Sequence, residues 1–96
     1  MLVPSVAEDV PDSLIADLSE DMPREWNKVG AYLGLKNDYI ETLNDENRTI
    51  SNKVIAMLNK WKQKKGKSAT RSCLMSALQK ADRKDLAEKV RMYKEW

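Results

Sequence analysis

Residues 49–61 read TISNKVIAMLNKW, and this stretch decides the fold class. Val54, Met57, Leu58 and Trp61 recur at i, i+3, i+4 and i+7, the spacing that lines one face of an α-helix. Thr49 or Ser51 is suited to cap its start, because a hydroxyl oxygen there can accept from a free backbone N–H. A lysine-rich segment follows and ends at Gly66, a residue that terminates helices easily.

The same period extends in both directions. Upstream, Trp26, Val29, Gly30 and Leu33 repeat the i, i+3, i+4, i+7 stripe. Pro23 stands near the first turn of that helix, where a missing N–H costs nothing, and Gly34 stops it. A shorter helix starts at Asn37 or Asp38 and offers Ile40 and Leu43 to the core. Before these, Asp12 or Ser13 can cap a helix bearing Leu14, Ile15 and Leu18. Downstream, Ser68 can cap a helix with Leu74, Ala77, Leu78 and Ala81 inward. Asp82 breaks that run, and a last helix carries Leu86, Val90 and Tyr93. No sustained alternation suggests strands. The spacing therefore predicts six short helices in an all-α antiparallel bundle over residues 11–96, with residues 1–10 as a flexible lead-in. Trp26 and Trp61 belong to apolar stripes, so core packing is their expected role, and truncating either should cost roughly 3–5 kcal/mol.

At 96 residues the chain is one domain. No apolar run approaches the roughly 20 residues needed to span a bilayer. Met1 to Val10 has neither a basic region nor a long apolar stretch, so no signal peptide is expected. One cysteine, Cys73, cannot form an intramolecular disulfide, which fits a reducing, cytoplasmic setting. The chain has no histidine. That removes the usual general base, the Ser/His/Asp relay and the commonest metal ligand. Its three glycines, Gly30, Gly34 and Gly66, are too scattered for a phosphate-cradling loop. No catalytic residue, metal or cofactor and no small-molecule substrate is expected.

Charge is divided unevenly. Residues 1–47 hold eleven acids against three bases, a net −8, and residues 48–96 hold fourteen bases against four acids, a net +10. From Thr49 to Ala81 there is no acid. Such a molecule carries complementary surfaces, which steer encounter and fix register. Asp38 and Glu41 lie one turn apart, with Asp45 and Glu46 following, and form a candidate acidic face. Lys53, Lys60 and Lys64 share a flank of the central helix, and Lys62, Lys65, Lys67 and Arg71 extend positive charge over its end and the next loop. These seven form the candidate basic face. The same lysines could contact nucleic acid phosphates, the rival reading. Against it, the acidic half repels a polyanion and no recognition helix or stacking platform is evident.

From Trp26 to Val90 the chain resembles the death domain. The matching pieces are Trp26 with Val29, Leu33-Gly34-Leu35, Tyr39-Ile40 with Leu43, Met57-Leu58 with Trp61, Ala69-Thr70, Leu74, Ala77-Leu78, and Asp85-Leu86-Ala87-Glu88 with Val90. Gly30 departs from the pattern, where the family usually carries a larger small residue such as Ala. The resemblance implies a six-helix Greek-key bundle without catalytic residues. It implies partners that are other death-domain proteins, self-association included, and the assembly of apoptotic or inflammatory signalling complexes. No membrane contact by the domain itself is implied. The parent protein would be a receptor with this part inside the cell, or a larger adaptor. Contacts in the family pair the third helix with the first and fourth, and the loop after the fourth helix with the region of the sixth. The acidic and basic faces lie where those surfaces would be.

Overall fold

The computed structural model describes residues 10–22 and 26–93. Its elements are α1 (Asp12–Asp21), α2 (Trp26–Tyr32), α3 (Asn37–Glu46), α4 (Ile50–Lys65), a 3₁₀ turn (Gly66–Ser68), α5 (Arg71–Lys80) and α6 (Lys84–Met92). Among the described residues there is no strand. The bundle is organised around α4, which touches α1, α2 and α3, while α5 packs on α6 and on α2.

The apolar stripes explain that arrangement. Val54, Met57, Leu58 and Trp61 of α4 are buried, and they meet Leu14, Ile15 and Leu18 of α1, Trp26 and Val29 of α2, and Ile40 and Leu43 of α3. Leu33, Leu35, Leu74, Ala77, Leu78, Leu86, Ala87 and Val90 complete the same cluster. Trp61 is 1% exposed and Trp26 6%, so both rings are core elements. Among the described residues, no buried side-chain nitrogen or oxygen lacks a hydrogen-bond partner. Buried Ser19 donates to the Ala16 carbonyl at 2.6 Å, and Ser51 of α4 donates to the Ser19 carbonyl at 3.2 Å, which ties α1 to α4.

Helix ends follow local chemistry, with some differences from the sequence expectations. Thr49, not Ser51, caps α4 by accepting from the Asn52 N–H at 3.1 Å. Thr70, not Ser68, caps α5 by accepting from the Cys73 N–H at 3.2 Å. Ser68 is consumed by the 3₁₀ turn that Gly66 begins, which moves the helix start beyond it. No side-chain cap forms at α1 or α3, whose flanking residues are Pro11 and Lys36. Gly34 (φ +96°) closes α2 with the bonds Leu35 N–H to Gly30 O and Gly34 N–H to Ala31 O, both 3.0 Å. Asp82 (φ +63°) ends α5 in the same way, through Arg83 N–H to Leu78 O at 2.8 Å. The short polar side chain of an aspartate tolerates that left-handed geometry better than most.

Two further findings refine the sequence reading. Val10 is fully buried in the cluster, so the expected lead-in of residues 1–10 is too long at its inner end. Val10 stands alone before Pro11, outside any helical period, which is why its burial left no pattern. Gly30 lies in close contact with side chains of α3 and α4. A Cβ built there would stand 3.3 Å from both Ile40 Cδ1 and Met57 Cγ, so the departure from alanine matches a tight helix crossing. Met22 is buried, Met75 half-buried and Met92 exposed. Pro23, Trp96 and residues 1–9 of the lead-in lie outside the described residues.

Candidate functional site

Acidic α3 is a regular amphipathic helix. Ile40 and Leu43 bind it to the core, and at 100° per residue Asp38, Glu41 and Asp45 fall together on the opposite side. Glu46 lies a quarter-turn away. All four carboxylates are exposed. Among the described residues, none of the four enters an ion pair.

The acids of α1 behave differently. Lys89 of α6 donates to Asp21, and that bond, joined by the charges of Asp21, Asp17 and Glu20, raises the Lys89 ammonium above its ordinary pKa. Arg83 donates to the Asp21 carbonyl at 3.0 Å and pairs with Asp85 at 3.0 Å. The hydrogen bond from Arg83 is the main cause that holds the Asp85 carboxyl below its ordinary range. Asp12 faces Lys62 at 3.9 Å. Part of the negative charge of α1 is thus met from within the molecule, whereas the four α3 carboxylates have no ion-pair partner among the described residues.

The seven residues of the expected basic face do not form one surface. Lys53, Lys60 and Lys64 do share the α3-facing flank of α4. The Lys60 and Lys64 ammoniums stand 5.3 and 5.9 Å from the centroid of the Tyr39 ring, and Lys53 donates to Asn44 Oδ1 at 2.6 Å. A groove of about 240 Å³ lined by Tyr39, Leu43, Ala56, Asn59, Lys60 and Gln63 runs between the two helices. Lys62 projects to the other side, where it donates to the Val10 carbonyl beside Asp12. Two residues along a helix correspond to about 200°, so Lys62 cannot accompany Lys60 and Lys64. Arg71 opens α5 and is turned inward: its guanidinium donates to the Tyr93 carbonyl at 3.0 Å and lies 5.7 Å from the Tyr93 ring centroid. Lys65 lines a separate cleft of about 300 Å³ with Tyr32, Leu33, Trp61 and Lys80, and Lys67 is exposed on the 3₁₀ turn.

Tyr39 was not a candidate from sequence, yet it carries the contact between the acidic helix and the lysine flank. Its signal is the i, i+4 pair Lys60 and Lys64, a spacing that places two cations over one ring. Which ring they meet depends on how α3 is rotated against α4, and only the packing fixes that. Cys73 is exposed on α5. Among the described residues, no cluster of three or more acids and thiols could hold a metal ion. No helix among them is long and apolar enough to cross a membrane.

A six-helix bundle that displays separate acidic and basic surfaces is an interaction module: its chemistry is recognition of another macromolecule. The chain belongs to the death domain family, whose model matches residues 12–94. It is also similar to Tumor necrosis factor receptor superfamily member 10B of Mus musculus, 30% identical over a 97-residue alignment. That alignment takes in 97% of this chain and 26% of the relative, so the chain spans about a quarter of the length of the curated relative it matches.

Proposed function

We propose that this domain mediates homotypic association with other death domains, its own copies included, in the assembly of apoptotic or inflammatory signalling complexes. The observation that carries the reading is electrostatic: Asp38, Glu41, Asp45 and Glu46 are exposed and enter no ion pair among the described residues, while Lys60 and Lys64 are poised over Tyr39 beside them. The acidic face of one domain meets the Lys60–Lys64 flank of the next. Carboxylates at a protein surface lose little on meeting lysines here, because neither group has an internal ion pair to give up. The module acts as part of a larger chain in the cytoplasm. Its likeness to part of a receptor supports a receptor tail, and the lone Cys73 suits a reducing compartment.

Nucleic acid is the weaker partner. Lys62 and Arg71 are engaged internally, and α3, the helix that Lys60 and Lys64 stand over, carries four exposed carboxylates. A phosphate backbone would be repelled where it should be gripped.

Light scattering across protein concentration, at about 50 and about 500 mM salt, tests the proposal, since that range progressively screens surface charge. Association or capture of a partner death domain should weaken with salt. The Lys60→Glu/Lys64→Glu variant should lose it while keeping its melting temperature. Unchanged association in that variant would refute the reading.

A further inference from the structure

A cleft of about 300 Å³ opens between the end of α2, the C-terminal turns of α4, the 3₁₀ turn and α5. Its origin lies in the sequence of α5. Cys73, Ser76, Ala77 and Lys80 stand at i, i+3, i+4 and i+7, so they share one face of that helix. Three of the four side chains are small, and all four line the cleft. A leucine on that face would fill the space, whereas small side chains leave it open.

The lining combines two chemistries. Leu33, Trp61 and Ala77 are buried and apolar, and the Tyr32 ring, 48% exposed, adds an aromatic surface. Lys65 and Lys80 supply ammoniums, and Ser68 and Ser76 supply hydroxyls. No acid lines the cleft. Among the described residues, neither of these lysines enters an ion pair. Lys65 has a defined seat: its Nζ lies 3.4 Å from where a Cβ on Gly34 would stand. Gly34, whose φ of +96° already favours glycine, therefore leaves room for the ammonium. That seat is at the C-terminal end of α2, whose dipole favours a cation without neutralising it.

An apolar, partly aromatic floor beside two uncompensated cations matches one kind of ligand. An inorganic anion would leave the floor in water, and a neutral apolar molecule would desolvate the ammoniums without pairing them. A ring bearing a carboxylate or phosphate meets both needs. We infer that this cleft binds a small aromatic anion, independently of the α3–α4 surface and of the homotypic reading. Its volume is at the lower end of small-ligand sites and suits a molecule of one or two rings. The molecule is a ligand rather than a substrate, because no carboxylate or imidazole lines the cleft for proton transfer.

Indole-3-acetate and phenyl phosphate serve as probes, one for each anionic group, with neutral indole-3-acetamide as the control. Amide NMR shifts of the intact chain should move at Tyr32, Leu33, Ser76 and Ala77, with a Kd of about 1 mM or tighter for at least one probe. The tighter probe identifies the anionic group. Indole-3-acetamide should bind at least about tenfold more weakly than indole-3-acetate, and Lys65→Met/Lys80→Met should weaken both anions by a similar factor. Ser76→Phe, at an exposed position, should fill the cleft and abolish the shifts. Circular dichroism melts check that both variants are folded. Cys73, the chain's one cysteine, reports occupancy, because a bound probe should slow its alkylation by iodoacetamide. Equal binding of the acid and its amide, or anion binding unchanged in Lys65→Met/Lys80→Met, would overturn the inference. Neither result would touch association through Lys60 and Lys64, which the salt series and the charge reversals test separately.

Discussion

Replacing Lys62 by methionine separates a structural lysine from its recognition neighbours. Methionine keeps most of the aliphatic stem that packs along α4 and removes only the ammonium. That ammonium donates to the Val10 carbonyl and lies 3.9 Å from Asp12. Asp12 is 93% exposed, so the ion pair contributes little. The bond to the carbonyl matters more: its donor is charged, the Lys62 side chain is only 31% exposed, and Val10 is anchored in the core. A charged hydrogen bond contributes roughly 1.5–3 kcal/mol, which partial exposure reduces to about 1–2 kcal/mol here. For a domain of this size that corresponds to a fall in melting temperature of about 4–16 °C. Lys64→Met provides the contrast. Its ammonium is exposed over Tyr39 and should contribute no more than about 0.5 kcal/mol to folding. Urea titration followed by tryptophan fluorescence reads both variants, with the midpoint shifting and the m-value unchanged. Self-association should show the reverse order, intact in Lys62→Met and weakened in Lys64→Met. Equal stability of the two variants, or equal loss of association, would refute the division of the lysines into two sides.

Three other outcomes follow from the same geometry. Thr49→Ala and Thr70→Ala should each lower stability by about 1 kcal/mol through loss of a cap, and Ser68→Ala by less than about 0.3 kcal/mol, as chemical denaturation would register. Gly30→Ala gains about 1 kcal/mol of helix propensity but crowds Ile40 and Met57, so it should be nearly neutral; combined with Ile40→Val, which removes the Cδ1 in the way, the pair should be about 0.5–1 kcal/mol more stable than the sum of the single changes. Two ion pairs set a pH dependence measurable by thermal melts. The lowered pKa of Asp85 means that its contribution is present above the ordinary 3.8 and is lost as pH falls through the folded value, so the small deficit of Asp85→Asn at pH 7 should shrink as pH falls below 3.8. The raised pKa of Lys89 acts in the opposite sense: its contribution holds below 10.5 and is lost as pH rises through the folded value, so Lys89→Met should approach the parent protein only in strong alkali.

Periodicity made the core legible because burial of an amphipathic helix demands a recurring apolar position. Trp26, Val29 and Leu33, or Val54, Met57, Leu58 and Trp61, could face one side in no other regular structure, and all are buried. Residues whose burial does not recur escaped that logic, as Val10 did. Caps were only partly legible: Ser68, the expected cap of α5, and Thr70, the actual one, both carry a hydroxyl, and the choice between them depended on Gly66 opening a 3₁₀ turn. The charge segregation was plain from composition, but its division into surfaces was not. The opposite orientation of Lys62 follows from the helix period alone. The inward turn of Arg71 and the seat of Lys60 and Lys64 over Tyr39 depend on neighbours from other helices, which a linear chain does not reveal.

Side chains join α1 to α6 at both ends of α1. Tyr93, just beyond α6, donates its hydroxyl proton to Ser13 near the start of α1, while Lys89 and Arg83 hold Asp21 at the other end of that helix. Neither helix can fray without releasing bonds of the other, so the first and last helices of the bundle should open as one cooperative unit rather than separately. Slow amide exchange in α1 should therefore fall together with that in α6 when Tyr93→Phe removes one of the links.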